Sequence, residues 1–215
     1  MDVERGPGFP AVVKRPIIFG AVCWTLSILF FVGQAVVQSA SARPYSLLTN
    51  LISDLGNTAC GPAVCSPLHV LMNATFILVG LLHWTGAATT RQAWPRKRLQ
   101  LPVAVLLALA GWGLAYAGLF PENVAPVSHA FGALLGLCSL NAGMIVLGLA
   151  LMPAARALGG LVLAAGIAGG LGLLLFLTHA FDLPPGLAER VADYPGAAMF
   201  VVLGTVLLAK TRRSR

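Results

Sequence analysis

Long runs of apolar residues, each about as long as a membrane-crossing helix, alternate with short polar segments along most of the chain. A helix needs about 20 residues to cross a hydrocarbon core of roughly 30 Å, and it satisfies its backbone hydrogen bonds internally. Six such runs are present. The predicted spans cover residues 17–38, 67–87, 101–120, 127–151, 157–179 and a last segment ending near residue 209. This pattern predicts an all-α, polytopic membrane protein, a bundle of six transmembrane helices.

The first and last runs each admit two interpretations. Lys14 and Arg15 precede the first run and residues 39–42 resemble a cleavage site, but its apolar region of about 20 residues is long for a signal peptide, so we expect a retained anchor. In the last run only residues 196–209 are uniformly apolar, and about 14 residues rise only about 21 Å. We therefore expect this helix to begin upstream, near Glu189, although Pro195 is an alternative start.

Composition and charge support a single membrane domain. Hydrophobic residues make up 58% of the 215 and charged residues only 10%, which leaves no segment for a soluble core. The net charge of +7 comes from short basic clusters between apolar runs, a pattern that sets membrane orientation rather than nucleic-acid binding. Because 12 of the 14 basic residues fall on the side that carries both termini, the N- and C-termini are predicted to be cytoplasmic.

These assignments divide the chain into three parts. They are a cytoplasmic N-terminal segment (1–16), a six-helix transmembrane domain (17–209) with an outer loop (39–66), and a basic cytoplasmic tail (210–215). We expect a multi-pass protein of a plasma membrane, and the abundance of Ala, Gly, Leu and Arg favours a bacterial one. Membrane lipids are the expected partners; no nucleic acid is expected, and no protein partner is indicated.

Most acidic and histidine side chains fall on the predicted outer face. Ionisable groups at membrane depth are costly and usually face the bundle interior, so they predict a polar cavity that opens to the outer leaflet. The alternative is that they are solvated loop ends and helix caps. The candidate residues are Ser53, Asp54, His69, Asn73, Glu122, His129, His179, Asp182, Glu189, Arg190 and Asp193.

Two spans carry informative helix faces. In the second span, His69, Asn73, Phe76, Gly80 and His83 share one face and form a polar stripe. In the fourth span the face of His129 carries small residues, which allow a neighbouring helix to approach closely. These small residues are Gly132, Gly136, Ser139 and Gly143.

Three histidines at one predicted depth suggest a metal site. His69, His129 and His179, with Asp54, would be a suitable set for a zinc ion that activates water. The sequence has no compact His-Glu-x-x-His motif. The alternative is therefore a polar binding cavity that needs no cofactor.

Other residues indicate structural roles. Cys60 and Cys65 lie in the outer loop, on the oxidising side of a bacterial plasma membrane, and predict a disulfide that closes a tight loop. Tyr45, Trp84 and Trp94 lie near predicted interfaces, where amphipathic rings anchor helices.

Three short motifs carry a family resemblance. They are Leu-Ile-Ser-Asp-Leu-Gly-Asn (51–57), Cys-Ser-Pro-Leu-His-Val-Leu-Met-Asn (65–73) and Gly-Leu-Ala-Glu-Arg-Val (186–191). The chain resembles the domain-of-unknown-function-998 family of bacterial and archaeal membrane proteins over nearly its whole length. It is more distantly similar to the Frag1/DRAM/Sfk1 group of six-span proteins, some of which are linked to membrane lipids, and this resemblance implies a lipid-related function.

The residues are compatible with three functions. The first is an outer-leaflet polar cavity that binds or handles a lipid or other amphiphile. The second is a metal-dependent membrane hydrolase of a lipid substrate, which would use His69, His129, His179 and Asp54. The third is a non-catalytic membrane scaffold or assembly partner whose outer face contacts another protein.

Overall fold

Six long apolar helices form the protein in a computed structural model that describes residues 15–213. The helices are α1 (Arg15–Leu26), α2 (Leu29–Ser39), α3 (His69–Thr90), α4 (Lys97–Leu119), α5 (Pro126–Leu151), α6 (Arg156–Thr178) and α7 (Pro185–Arg213). Because α1 and α2 together make one span, Arg15–Ser39, the prediction of six membrane-crossing helices is confirmed. Most of the predicted N-terminal segment, residues 1–14, and residues 214–215 of the predicted tail lie outside the described residues.

The helices pack as a closed ring. Each of α3 to α7 contacts the next along the chain, and α1 lies between α3 and α7 and closes the ring. Loops 40–68, 120–125 and 179–184 form one end of the bundle, which we call the acidic end. At the opposite, basic end lie Arg15, the 91–96 connection and the 152–155 connection. We call residues 40–68 the long loop.

The first span is interrupted between α1 and α2. The N–H groups of Ser27, Ile28, Phe30 and Phe31 bond to carbonyls three residues earlier rather than four. This tighter pattern is that of a 3₁₀ turn. It separates a half that packs against α3 and α7 from a half that packs mainly against α3.

The last helix starts earlier than the sequence predicted, at Pro185, and it continues through Pro195. Pro195 has no N–H for the carbonyl of Val191, which weakens a helix locally. Beside this point the amide of Asn141 on α5 donates to the carbonyl of Ala192 at 3.0 Å. Neighbouring helices commonly supply such bonds where proline interrupts a transmembrane helix.

The core near the basic end is built on aromatic rings. Trp24 is fully buried, stacks on Trp94 with ring centroids 5.7 Å apart, and meets Phe200 edge-on at 5.2 Å. Trp94 is only 2% exposed, so the prediction that it anchors the helix at an interface is wrong. Its ring is inside because the short Arg91–Ala93 turn brings the chain back against α1. Trp84, in contrast, is half exposed.

Glycines bring neighbouring helices into backbone contact. A Cβ atom added at Gly80 on α3 would lie 2.7 Å from the backbone nitrogen of Ala115 on α4 and would also overlap the carbonyl of Gly111. On α5, Gly132 and Gly136 face Gly113 of α4 in the same way. Small residues are a common means of close helix packing in membranes, where no hydrophobic force draws helices together.

We predict that Gly80→Ala destabilises the fold, because the added methyl group must push α3 and α4 apart. Overpacking of this kind costs about 1–3 kcal/mol. Gly170→Ala on α6 is the matched control, since no described heavy atom beyond its own helix backbone and chain neighbours lies within 4 Å of its added Cβ. Thermal unfolding of the purified variants in one detergent measures the effect. Equal midpoints for the two variants would contradict close packing at Gly80.

Candidate functional site

The long loop folds down onto the acidic end of the bundle and closes it. Ile52, just before the Ser53–Gly56 turn, and Leu55, within it, are 3% and 1% exposed and pack among bundle residues that include Phe76. The side-chain amide of Asn73 on α3 donates to the carbonyl of Gly56 at 2.9 Å. The residues of the 51–57 motif therefore form a plug in the bundle rather than an exposed loop.

Arg190 is the main link between the loop and α7. Its Nη1 donates to the carbonyls of Leu47 (2.9 Å), Asn50 (2.7 Å) and Gly186 (2.9 Å), and its Nη2 donates to the hydroxyl of Tyr45 (2.6 Å). Arg190 is only 6% exposed. A guanidinium group has several donors in a fixed plane, and here these donors satisfy loop carbonyls that the fold has removed from water.

Tyr45 extends this link. Its hydroxyl accepts from Arg190 and donates to the carbonyl of Leu51 at 2.7 Å. Burial raises the pKa of Tyr45 to about 12, although the guanidinium of Arg190 opposes that shift. The phenol therefore keeps its proton at neutral pH. Tyr45 acts inside the folded loop, which differs from the interfacial anchor that the sequence predicted.

Asp54 organises the loop itself. Its carboxylate accepts the backbone N–H of Leu51 at 2.9 Å and the side-chain amides of Asn50 at 3.2 Å and Asn57 at 3.4 Å. A carboxylate that accepts several bonds in this way stabilises a turn. This arrangement uses Asp54 to fix the loop conformation.

Two glutamates hold the lower side of the turn. The hydroxyl of Ser53 donates to Oε2 of Glu122 at 2.6 Å, and the backbone N–H of Ile52 donates to Oε2 of Glu189. Glu122 belongs to the α4–α5 connection and Glu189 to the first turns of α7. The turn is therefore held between two parts of the bundle that lie far apart in sequence.

The predicted disulfide is present between Cys60 and Cys65, whose Cα atoms lie 4.1 Å apart. The N–H of Gly61 donates to the carbonyl of Val64 at 2.7 Å within the closed ring. The carbonyl of Cys65 also accepts the N–H of Ala42 at 3.1 Å. These contacts fasten the far part of the long loop to its beginning.

A narrow cavity of about 70 Å³ lies inside the bundle beneath the turn. Ile52 and Ser53 lie at its upper end, and its walls come from α2, α3, α4, α5 and α7. On α5 the cavity extends from His129 to Leu140, a distance of about 16 Å at about 1.5 Å per residue. The walls are mainly apolar, with side chains that include Phe30, Phe76, Leu114, Leu137 and Leu140.

Polar groups occur at both ends of this cavity. The upper end holds Ser53, His129, Glu189 and Asp193. The lower end holds His83, which is 4% exposed and stacks on Phe200 with ring centroids 3.7 Å apart. Among the described residues, Nε2 of His83 has no hydrogen-bond partner.

The structure sorts the predicted site residues into three groups. Those that line the cavity are Ser53, His129, Glu189 and Asp193. Those that hold the long loop in place are Asp54, Asn73, Glu122 and Arg190. His69 contacts the carbonyl of Ser66, near the end of the long loop, and His179 and Asp182 are exposed around the end of α6, away from both arrangements.

The three histidines predicted to bind zinc are not gathered. Over residues 15–213, no group of three or more His, Cys, Asp or Glu side chains could hold a metal ion. Nδ1 of His129 is directed at the carbonyls of Ala117 and Phe120, at 3.1 and 3.0 Å. The three histidines lie at the same end of the bundle but in different surroundings: His69 contacts Ser66, His129 contacts the end of α4, and His179 is exposed.

Sequence reasoning left some site residues out. The sequence places His83 only in the polar stripe of the second span, and that stripe is the signal that points toward the cavity. Tyr194 donates to Oε1 of Gln34 at 2.7 Å and packs against Phe30 and Phe31, which joins α7 to α2. Gln34 and Tyr194 are 160 residues apart in the sequence, so no local sequence pattern indicates this hydrogen bond.

Six apolar spans around a cavity that lies beneath a loop define a polytopic helical membrane protein. The family described as Protein of unknown function (DUF998) matches residues 25–206, and the chain belongs to this family. No curated protein and no solved structure matches the chain.

We predict that Arg190→Lys loosens the long loop while the helices remain. A lysine ammonium cannot reach the four acceptors together, and each buried carbonyl left unpaired costs about 1–3 kcal/mol. Hydrogen exchange should show faster exchange of the Leu51 and Ile52 amides. Arg43→Lys, at an exposed position on the same loop, is the control. Equal protection in the two variants would show that Arg190 does not hold the loop.

Proposed function

We propose that this protein binds the alkyl chain of a lipid or other amphiphile in the cavity, with the head group at the acidic end. The observation that carries the proposal is the cavity's form: a narrow space with mainly apolar walls and with polar groups at its ends. Ligand sites commonly combine apolar walls with a few polar groups that fix orientation.

The closure of the cavity supports the same proposal. Ile52 contributes an apolar side chain to the upper wall, and Ser53 and Glu189 both face the cavity and hold the loop above it. A chain in this space would be shielded from water on one side by the loop and from surrounding lipid by the helix ring. Burial of apolar surface is worth about 25 cal/mol per Å², which favours an alkyl occupant over water in the apolar part.

We further propose that the acidic end faces the outside of a bacterial plasma membrane. Two observations support this orientation. Most basic residues of the sequence lie at the other end, as the positive-inside rule requires of a cytoplasmic face. The Cys60–Cys65 disulfide lies at the acidic end, and disulfides persist in oxidising compartments.

The binding proposal predicts that Ala133→Leu prevents occupancy. Ala133 lines the cavity on α5, so a larger side chain fills the space that an alkyl chain would take. Ala142→Leu is the matched control, a partly buried alanine of the same helix that does not line the cavity. Native mass spectrometry of protein purified in a mild detergent should detect a bound amphiphile in the wild type and the control, and none in Ala133→Leu. Equal occupancy in all three would refute the proposal.

The orientation proposal predicts that reporters fused at residue 96 and at the C-terminus are both active in the cytoplasm. After reduction of intact cells, a membrane-impermeant thiol reagent should label Cys60 and Cys65. Cys23, which is buried in α1, should stay unlabelled and serves as the internal control. Reporters on opposite sides of the membrane would refute the proposed topology.

A further inference from the structure

We infer that the amphiphile carries a protonated amine, which Glu189 and Asp193 bind at the upper end of the cavity. This inference rests on the proposed function and specifies the chemical class of its ligand. It follows from an inventory of the hydrogen-bond donors and acceptors that the cavity presents.

The upper end presents acceptors. Nδ1 of His129 faces two carbonyl oxygens, so it carries a proton, and in this tautomer Nε2 is an acceptor. The hydroxyl of Ser53 donates its hydrogen bond to Glu122, so toward an occupant its oxygen can act only as an acceptor. Glu189 accepts from the N–H of Ile52 through one oxygen and has a second oxygen available. Asp193 accepts no hydrogen bond from any other residue in the described part of the chain.

Glu189 and Asp193 are suited to act together. They are four residues apart on α7, which places them on the same helix face one turn apart, and both line the cavity. An ammonium group has up to three N–H donors and a positive charge, so it can bond to both carboxylates at once. A phosphate or sulfate head group would bring a further negative charge to the same place.

Arg190, the cation beside these acids, is not available to an anionic head group. Nη1 donates to three backbone carbonyls and Nη2 to Tyr45, and Arg190 is not among the residues that line the cavity. Its Nε is buried without a hydrogen-bond partner among residues 15–213. The cavity is thus lined by two acidic side chains and, in the described part of the chain, by no arginine or lysine that could bind a phosphate.

His83 gives independent evidence that the cavity receives a polar occupant. Its side chain lines the cavity and is 4% exposed, yet Nε2 lacks a partner within the described residues. An unsatisfied buried donor or acceptor costs about 1–3 kcal/mol. A polar atom of an occupant, or a water molecule that enters with it, would remove this cost. The cavity therefore presents unmet hydrogen-bonding groups at both ends.

The test compares three probes that share a dodecyl chain: dodecylamine, dodecyltrimethylammonium and dodecyl phosphate. Isothermal titration uses the full chain in nanodiscs of zwitterionic phosphatidylcholine, with empty nanodiscs as the blank. We expect dodecylamine to bind at least about tenfold more tightly than dodecyl phosphate, as a charge-assisted hydrogen bond implies. Dodecyltrimethylammonium, which has the charge but no N–H donor, should bind more weakly than dodecylamine.

Asp193→Asn should lower the affinity for dodecylamine about tenfold and leave that for dodecyl phosphate unchanged or improved. Asp182→Asn is the matched control, because Asp182 is exposed at the same end of the bundle and away from the cavity. Its affinities should equal those of the wild type, and thermal unfolding checks that both variants fold.

Three outcomes would overturn the inference. They are equal binding of all three probes, equal binding of the two cations, and an Asp193→Asn variant that keeps the amine preference. If the probes bind equally and Ala133→Leu abolishes their binding, the amine specificity is wrong while the alkyl-binding function stands. If no probe binds the wild type, the inference is overturned together with the proposed function.

Discussion

The guanidinium of Arg190 determines how the acidic end is organised. A loop of nearly thirty residues over a membrane bundle carries many backbone carbonyls, and those that leave water need donors. Arg190 supplies donors to three carbonyls and to the Tyr45 hydroxyl from one rigid group. This fixes the loop against α7, and the position of the turn at Ile52 and Ser53 follows from it. The upper limit of the cavity is set by that turn.

The width of the bundle is set by a different constraint. Lipid offers no hydrophobic force to draw helices together, so close contact depends on small residues and on polar bonds between helices. Gly80 and Gly111 join α3 to α4, and Gly113 and Gly136 join α4 to α5. Larger side chains on the inward faces, such as Phe76 and Leu140, then keep the centre of the ring from closing completely. Glycines bring neighbouring helices into contact around the ring, and large inward side chains hold its centre open. The cavity is the space left in that centre.

The fold was largely predictable from the sequence, because length and hydropathy of each run determine what can cross a membrane. The same reasoning correctly required α7 to extend upstream of Gly196, and it anticipated the disulfide. It could not distinguish Asp54, which fixes the loop, from Asp193, which lines the cavity, since both are acids at one depth. It also treats the equal depth of His69, His129 and His179 in their spans as a sign that they lie close together. Depth follows from position in a span, whereas proximity depends on helix rotation and on loop contacts, such as that between Tyr45 and Arg190.

Glu189 belongs to two structures at once, because one of its oxygens holds the Ile52 amide and its side chain also lines the cavity. Any occupant that draws on this carboxylate changes the strength of the bond to the loop. Thermodynamic linkage makes such an effect reciprocal: the factor by which a bound amphiphile shifts loop opening equals the factor by which loop opening changes its affinity. In the proposed function, the long loop and the cavity are therefore coupled through the side chain of Glu189.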